Sequence, residues 1–576
     1  APPASLNLLF RHPDLRAHVL LFALLLVFLW PALAGGKALF PADILYTYRP
    51  WNALAAEAGF SLAYNDLIAD QLLQDLGWKS LIHESLRRGE LPLWNPAILT
   101  GVPFLAGGQP AVLYPPTWLF FGLLPVLQGY GWFALTHLAV AASGCYWLLR
   151  AFEARRTAAV LGGLVFSLSG VMSVSLQSPQ MTGVYVWLPW AILAIERIGR
   201  NAAGGSTRRA LPWVLGGSIA LGLAWVGGQA EIGIYGNILA GSFGLMHCGL
   251  AGRRSGRAAA AATGACLAVM LGLGAGLASA QLLPEVIAVA GNFRDGAVSY
   301  QDVTGWALPK VQLLAFLVPD FFGNPAQHAY FDLFKGMWQP VAGSMDAAGA
   351  PRTYPFWGAK NYVEGTAYIG VLPLVFAAAA LGMRRDAITR FFTGFALVCL
   401  LFAFGTPLYA ILFNLPGLNQ LHSPFRWLYP YAFCGAVLAG LAFDSLIGAA
   451  TPARSAPRQV AWSSVLGRGI LVAGLALTAA MVASWVFVPV ALEWVQRARE
   501  RSQVLAAAFP TPEMLYSYQM RNLAWLVLLL MLGGAALTWF SGRRRVFPAF
   551  VWGVVALDLL VFANGFVAFG SPGALS

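Results

Sequence analysis

The sequence predicts an all-α polytopic membrane protein. Of its 576 residues, 58% are hydrophobic and only 10% are charged, and the mean hydropathy is +0.66. So few polar side chains cannot cover a water-facing globule of this size. Apolar stretches of about 20 residues, the length that an α-helix needs to cross a bilayer, recur along the whole chain. We therefore expect one membrane domain over residues 1–576 instead of several soluble domains.

These apolar stretches predict about thirteen transmembrane helices. Their expected starts, in chain order, are Ala17, Gly131, Thr157, Gly183, Leu211, Ile232, Ala258, Thr366, Phe391, Trp427, Ile470, Asn522 and Val546. The five cysteines lie in or beside these stretches without a CxxC spacing, so we interpret them as small packing residues.

Arginine-rich connections alternate with long loops and predict the orientation. More than half of the 36 basic residues lie near the amino terminus or in the connections 150–156, 197–209, 253–257, 384–390, 454–468 and 543–545. The positive-inside rule makes that side cytoplasmic, with the amino terminus inside and the carboxy terminus outside. It also explains the net charge of +12 without a nucleic-acid partner. Chemistry in water is expected in the external loops 35–130, 291–364 and 493–521.

The first external loop has two parts of different composition. Residues 65–89 place leucines on a loose helical stripe between polar residues, which predicts an amphipathic helix on the membrane surface. Asp66 and Asp70 are one turn apart there and either face one cavity or form the solvated face. Residues 92–116 are rich in proline and aromatic residues and predict an irregular, ordered loop that lines a cavity.

Six stretches in one order resemble the YfhO-like bacterial membrane proteins of the C-type (GT-C) glycosyltransferase superfamily. They are PADILYTYRPW (41–51), LPLWNPAILTGVPFLAGGQPAVLYPP (91–116), AQLLPEVIAVAGNFR (280–294), FLVPDFFGN (316–324), YVEGTAYIGVLPL (362–374) and LPGLNQLHSPFRWL (415–428). The resemblance implies a GT-C-like helical bundle that transfers a sugar from a polyprenyl-phosphate donor, with an acid in the first outer loop near the reaction centre. It also favours a retained first helix over a signal peptide, whose outline residues 17–34 share.

Asp43 is the acid that the resemblance assigns to catalysis, as a base or as a ligand of a divalent cation such as Mg²⁺ or Mn²⁺. An acceptor hydroxyl must lose its proton as it attacks the anomeric carbon, and a nearby carboxylate can take that proton. Direct attack inverts the configuration and needs one basic carboxylate. The alternative is that Asp43 caps a short interfacial helix.

Arg426 is a candidate contact for the donor phosphate, because the leaving phosphate needs a cation. It could equally anchor a helix end at the interface. His422, four residues earlier, is either a polar loop residue or a metal ligand. Glu231 lies within an apolar run, and Glu364 lies at the mouth of the eighth span. Each could bind substrate or serve structure.

Further polar candidates lie in the proline-rich part of the first loop and in the last span. Planar and amide groups suited to sugar binding occur at Trp94, Asn95, Gln109 and Tyr114, although a packed loop would use them as well. Asp558 lies about 20 Å along the last helix from Arg545, at 1.5 Å per residue. It is either a functional acid within the membrane or a hydrogen bond that locks two helices.

The resemblance therefore implies an inverting glycosyltransferase in a bacterial inner membrane, which moves a sugar from a polyprenyl-phosphate donor to an extracytoplasmic glycan, polymer or lipid. No Walker loop or GxGxxG follows a predicted strand, which agrees with a lipid-linked donor instead of a nucleotide. One alternative is a transporter or flippase of a lipid-linked glycan, which Asp558 favours. Another is a non-catalytic assembly subunit of the same fold, because fold and function are separable.

Overall fold

The computed structural model describes residues 12–290, 299–341, 344–345, 351–352, 355–358, 361–415, 418–421, 423–449, 457–543 and 545–575. The seventeen principal helices are α1 Pro13–Leu33, α2 Leu76–Arg87, α3 Val126–Ala151, α4 Arg156–Ser167, α5 Gly170–Val174, α6 Pro179–Tyr185, α7 Leu188–Ala203, α8 Thr207–Val226, α9 Ala230–Ser255, α10 Arg257–Ala290, α11 Val371–Met383, α12 Ala387–Ala403, α13 Leu428–Ala449, α14 Pro457–Val486, α15 Val488–Glu500, α16 Pro512–Ala535 and α17 Val546–Asn564.

Four further α-helices are short: Pro115–Thr117, Tyr300–Gly305, Tyr409–Phe413 and Gln503–Ala508. The strands are short and antiparallel: β1 Trp94–Asn95 pairs with β2 Val102–Pro103, β3 Ala329–Asp332 with β4 Met337–Pro340, and β5 Ser344–Met345 with β6 Pro351–Arg352. All of these strands lie in predicted external loops, because a bilayer accepts a helix but not an open sheet edge.

The prediction of an all-α polytopic membrane protein is confirmed. A helix occurs at each of the thirteen predicted positions. Within the described residues, eight helices are long and apolar enough to cross a membrane. Others are shorter or interrupted: the third expected span is divided into α4 and α5, and the fourth into α6 and α7. Both breaks lie in the buried interior, where neighbouring protein can satisfy the freed backbone groups.

Helix α13 is the centre of the bundle and α14 is at its edge. In the most apolar window of each, 89% of the α13 residues are buried inside the protein, against 11% for α14. Small residues such as Gly435 and Gly440 let the side chains of Ile369 and Leu149 approach the α13 backbone closely. The exposed apolar side chains of α14 are suited to lipid contact.

Ion pairs identify one end of the bundle, which we call the arginine-rich end. Arg156 binds Asp14 of α1 at 2.8 Å, and Arg155 binds Asp444 of α13 at 3.2 Å. Arg384 approaches the same Asp444 carboxylate at 3.8 Å. Connections that are distant in sequence therefore meet at one end, as the alternation of arginine-rich and long loops requires. That this end is cytoplasmic stays a prediction.

The opposite end, which we call the loop end, is formed by the first and second long loops together with the residues after α17. His328 Nε2 contacts the carbonyl oxygen of Tyr64 at 2.7 Å, which joins the second loop to the first. The Asn65 amide donates to the carbonyl oxygen of Phe566 at 2.8 Å. The two loops thus form a continuous cover over one end of the bundle.

The predicted surface helix is present but its buried face differs from the expected one. A 3₁₀ turn at Asp66–Ile68 and a π-helical turn at Gln71–Asp75 precede α2. The leucine stripe is only partly buried, whereas Gln71, Asp75 and Lys79 are almost fully buried. The expectation that polar residues here face water is therefore wrong for these three. Their partners come from distant segments, which the helical periodicity does not reveal.

Candidate active site

Asp43 lies in a 3₁₀ turn, Ala42–Thr47, at the loop end. Its Oδ2 accepts a hydrogen bond of 2.6 Å from the backbone nitrogen of Tyr64, 21 residues away. The bond that holds Asp43 thus comes from a distant segment instead of its own turn, unlike the alternative in which Asp43 caps a short helix. The side chain is half-buried. Partial burial raises the pKa of Tyr64, and the neighbouring Asp43 carboxylate raises it further.

Tyr64 connects Asp43 to two other segments. Its carbonyl oxygen contacts His328 in the second loop, as described above. Its hydroxyl donates to the carbonyl oxygen of Asn564, the last residue of α17, at 3.2 Å. Asp43 therefore lies where the first loop, the second loop and the end of the last helix meet.

Arg426 and Glu231 form an ion pair at the loop end. The Arg426 guanidinium donates to Glu231 Oε2, and the Tyr235 hydroxyl donates to Glu231 Oε1 at 3.1 Å. The two charged side chains retain 21% and 23% of their exposure, so the pair is accessible from a cavity instead of enclosed. The sequence proposed both residues separately, and the structure brings them together.

Glu364 lines the same small cavity as Arg426. This cavity has a volume of about 50 Å³, and Tyr185 and Ser175 contribute to its wall. Three of the predicted substrate-binding residues, Glu231, Glu364 and Arg426, are thus neighbours although they come from three distant parts of the chain. We call this group the Arg426 cleft. His422, predicted beside Arg426, lies outside the described residues.

The four predicted sugar-binding residues do not share one surface. Trp94 is 54% exposed in the β1–β2 hairpin, and Gln109 is also exposed. Asn95 is buried and its Oδ1 accepts the backbone nitrogen of Ala97 at 3.0 Å, so it stabilises the loop. The hairpin requires a glycine at Gly101, where φ is 110° and an added Cβ would lie 2.4 Å from the Trp94 indole nitrogen.

Tyr114 belongs to the core in this structure. Its side chain is fully buried, and its oxygen accepts the Trp187 indole N–H at 2.9 Å. His137 Nδ1 donates to the Phe133 carbonyl oxygen at 2.7 Å, which leaves Nε2 to accept the Tyr114 hydroxyl at 2.7 Å. Neither ring face of Tyr114 is open to a sugar, so we leave it out of the proposed site.

The second-tier acids also have different environments. Asp70 is exposed and Asp66 is half-buried, so the two carboxylates do not share the burial expected of one cavity wall. Asp558 is buried, and its Oδ2 accepts the backbone nitrogen of Val371, the first residue of α11, at 2.9 Å. Tyr368 donates its hydroxyl to Oδ1. Asp558 therefore joins α17 to the start of α11, as its structural alternative predicted.

No group of three or more His, Cys, Asp or Glu side chains suited to a metal occurs in the described parts of the chain. Asp43 is consistent with a different kind of site. Mg²⁺ in phosphate-processing enzymes is commonly held by one or two carboxylates, several waters and the substrate phosphates. A single half-buried carboxylate such as Asp43 fits that kind of site.

Two charged groups were missed by the sequence interpretation. Asp75 and Lys79 form a pair at 3.4 Å with side chains 3% and 1% exposed. Their i,i+4 spacing was a detectable pattern. The other is Arg521, which lines a cavity of about 480 Å³ with Asp320 and Gln327. Its place directly before the predicted twelfth span, next to Asn522, was the available sign.

No protein-family model and no curated protein matches this chain. Among solved structures, ArnT from Cupriavidus metallidurans bound to undecaprenyl phosphate is similar with a TM-score of 0.45 and 13% identity, covering 95% of this chain and 76% of that chain. The same protein in the apo state gives a TM-score of 0.40 and 13% identity, covering 86% and 72%. Similarity at this level does not by itself assign an activity.

Proposed function

We propose that this membrane protein is a GT-C-type glycosyltransferase of the YfhO-like kind, which transfers a sugar from a polyprenyl-phosphate donor to an extracytoplasmic glycan, polymer or lipid. Asp43 is the general base, with or without a divalent cation. The reaction forms a bond between the acceptor oxygen and the anomeric carbon and breaks the bond from that carbon to the phosphate oxygen. The acceptor proton passes to Asp43, and the polyprenyl phosphate leaves with its charge.

The observation that most supports this function is the way Asp43 is held. Tyr64 fixes one carboxylate oxygen, and Asp43 Oδ1 accepts no hydrogen bond from the described residues. A half-buried carboxylate with one oxygen fixed and the other free is oriented to take a proton or bind a cation. The position matches the acid that the family resemblance places near the reaction centre.

The Arg426 cleft supports the same function. It combines a cation with two carboxylates at the loop end, beside a cavity too small for a lipid chain. Charged groups with partial exposure can bind hydroxyl or anionic parts of a substrate by charge-assisted hydrogen bonds. We include Glu231, Glu364 and Arg426 in the proposed site as substrate-binding residues. The hydrogen bonds of Asp558 give that acid a structural role, so its presence in the last span does not by itself favour a transporter.

Asp43→Asn tests the proposal with little change in shape. An asparagine oxygen can still accept the Tyr64 N–H, but the amide cannot take a proton. In proteoliposomes with labelled polyprenyl-phosphate sugars and envelope acceptors, we expect transfer to fall about 10²- to 10⁴-fold, the usual contribution of a general base. Donor binding and the unfolding temperature should stay near the wild-type values.

Asp70→Asn is the matched control, because it makes the same chemical change at an exposed acid of the same loop. It should leave transfer unchanged. Full activity of Asp43→Asn would contradict the role given to Asp43. Movement of lipid-linked sugar across the bilayer by wild type, with no transfer from any donor tested, would favour a flippase instead.

A further inference from the structure

A large cavity lies between α16, α17 and residues 317–327 of the second loop, away from the Arg426 cleft. Its volume is about 480 Å³. Its apolar lining includes Trp525, Leu528 and Phe562, and its polar lining comprises Asp320, Gln327, Tyr368, Arg521, Asn522 and Asp558. We call it the Arg521 cavity. One part therefore suits a charged group, and another suits a hydrocarbon chain.

The apolar part of the Arg521 cavity opens toward the lipid-facing surface. Leu528 on α16 and Val561 on α17 both line the cavity and are 41% and 45% exposed. These residues belong to helices that are long and apolar enough to cross a membrane. A molecule with an apolar chain can therefore enter sideways from the bilayer while its polar end remains near the loop end.

Arg521 has donor groups left for a ligand. Its Nη2 donates to Gln327 Oε1 at 2.6 Å and to Asn522 Oδ1 at 2.9 Å. Within the described residues, its Nε and Nη1 make no hydrogen bond, and the guanidinium lies over the Tyr518 ring at 4.9 Å. The free Nε and Nη1 groups lie on different edges of the guanidinium, so each can donate a single charge-assisted hydrogen bond to an anion.

Asp320 lies at ion-pair distance from Arg521 but forms no hydrogen bond with it. The two side chains are 3.9 Å apart, which is beyond hydrogen-bond distance. The Asp320 oxygens instead accept the Tyr362 hydroxyl at 2.6 Å and the Gln327 amide at 2.7 Å. Arg426, by contrast, donates directly to Glu231, and its cavity holds only about 50 Å³. The Arg521 cavity is therefore the better fit for a phosphate joined to a chain.

We propose that the Arg521 cavity binds the phosphate and the first part of the chain of the polyprenyl-phosphate donor. The phosphate accepts hydrogen bonds from Arg521, and the chain leaves between Leu528 and Val561 into the bilayer. This proposal rests on the proposed glycosyltransferase function and moves the phosphate from Arg426, where the sequence placed it, to Arg521. The Arg426 cleft is then left to bind polar groups of the acceptor.

The position of the Arg521 cavity agrees with the place of Asp43. Gln327, which lines the cavity, precedes His328 in the chain, and His328 contacts Tyr64. Tyr64 in turn holds Asp43. A continuous set of contacts thus connects the base with the cavity, so the sugar of a donor bound there would lie on the side of the first loop.

Binding of radiolabelled undecaprenyl phosphate to the purified full chain in phosphatidylcholine nanodiscs tests the proposal without any transfer reaction. We expect Arg521→Gln to weaken binding about 10- to 100-fold, the range for lost hydrogen bonds to a charged group. Arg426→Gln should leave binding nearly unchanged. Excess phosphatidylglycerol should not displace the label, because the proposed site takes one chain between Leu528 and Val561, whereas that lipid has two.

A second pair of variants separates binding from folding. Leu528→Trp fills the apolar part of the Arg521 cavity without touching Arg521 and should also weaken binding. Leu557→Trp makes the same change at an exposed leucine of α17 that is not part of the cavity lining, and should have no effect. The unfolding temperature of each variant in the same nanodiscs shows whether the fold is intact.

The outcomes separate this inference from the proposed function. Loss of binding in Arg426→Gln but not in Arg521→Gln, or equal displacement by phosphatidylglycerol, overturns the inference. Normal binding by Leu528→Trp does so as well. If wild type transfers sugar while Arg521→Gln still binds the lipid normally, only the inference fails. If wild type neither binds undecaprenyl phosphate nor transfers from its sugar derivatives, the proposed function fails with it.

Discussion

Two acid–base pairs at the loop end have the same chemistry but different surroundings. Asp75 pairs with Lys79 and accepts the Tyr130 hydroxyl at 2.7 Å. Glu231 pairs with Arg426 and accepts the Tyr235 hydroxyl, as described for the cleft. The side chains of the first pair are at most 3% exposed, whereas those of the second are 21% and 23% exposed.

The difference indicates what each pair does. Lys79 also donates to the Pro110 carbonyl oxygen at 3.0 Å and lies over the Phe121 ring at 5.3 Å, so the first pair joins α2 to the proline-rich segment. It has no room for a ligand. Arg426 of the second pair lines a cavity, and both of its charged side chains are partly exposed, so a ligand can contact them. We interpret Asp75–Lys79 as structural and Glu231–Arg426 as part of the proposed site.

The largest expected effect is on the enclosed pair. Lys79→Met leaves the Asp75 carboxylate buried without its cation, and removal of one partner from a buried pair costs about 3–5 kcal/mol of unfolding free energy. Thermal unfolding of the protein in detergent should detect this as a large decrease in midpoint. The double variant Asp75→Leu with Lys79→Met should recover much of the loss, because it removes both charges. An unchanged midpoint for Lys79→Met would contradict the structural role.

The equivalent change in the accessible pair should affect activity more than stability. Arg426→Gln should cost about 1 kcal/mol of stability or less, because water and the cavity can compensate a partly exposed carboxylate. Sugar transfer should fall about 10- to 100-fold through lost charge-assisted contacts with substrate. The measurement is transfer kinetics alongside thermal unfolding. A stability loss like that of Lys79→Met, with normal kinetics of the remaining folded protein, would make this pair structural too.

The same substitution, tyrosine to phenylalanine, can be made beside each pair, at Tyr130 and at Tyr235. Tyr130→Phe leaves a buried Asp75 oxygen without its donor and should cost about 1–3 kcal/mol. Tyr235→Phe removes one bond from the partly exposed Glu231, where solvent can replace it, and should cost about 0.5–1.5 kcal/mol. Denaturation midpoints of the two variants, measured side by side, test the ranking. A larger loss of stability for Tyr235→Phe than for Tyr130→Phe would show that solvent accessibility does not explain the difference between the two pairs.

The smallest effect is expected at Asp70, an exposed acid five residues before Asp75. The Gln74 amide donates to Asp70 Oδ1 at 3.5 Å, which is a weak contact. Asp70→Asn should change stability by less than about 0.5 kcal/mol. Transfer kinetics and thermal unfolding should both match wild type. A large effect on transfer would mean that Asp70 belongs to the proposed site, and a large effect on unfolding would mean that it stabilises the fold.

The sequence proposed individual candidate residues, but it did not reveal their neighbours. Asp43, Glu231, Glu364 and Arg426 were proposed from the resemblance, from their rarity in apolar stretches and from their place at span ends. That Glu231, Glu364 and Arg426 are neighbours, and that Asp43 lies against Tyr64, could not be predicted, because both depend on the packing of segments far apart in the chain. Tyr114 shows the converse error: its aromatic and hydroxyl groups suit a sugar, yet His137 and Trp187 enclose it.

By itself, the sequence determined the membrane location, the helical fold class and the alternation of the two ends. These follow from the length of the apolar segments and from the positions of the arginines. Both are local properties of the sequence that determine how a segment inserts into a bilayer. Only the tertiary structure decided which charges are enclosed and which line cavities. Burial, hydrogen-bond partners and cavity volume depend on the whole set of packed helices. The spacing of Asp75 and Lys79 and the place of Arg521 before a span are visible in the sequence. The enclosure of the pair and the cavity beside Arg521 appear only in the packed structure.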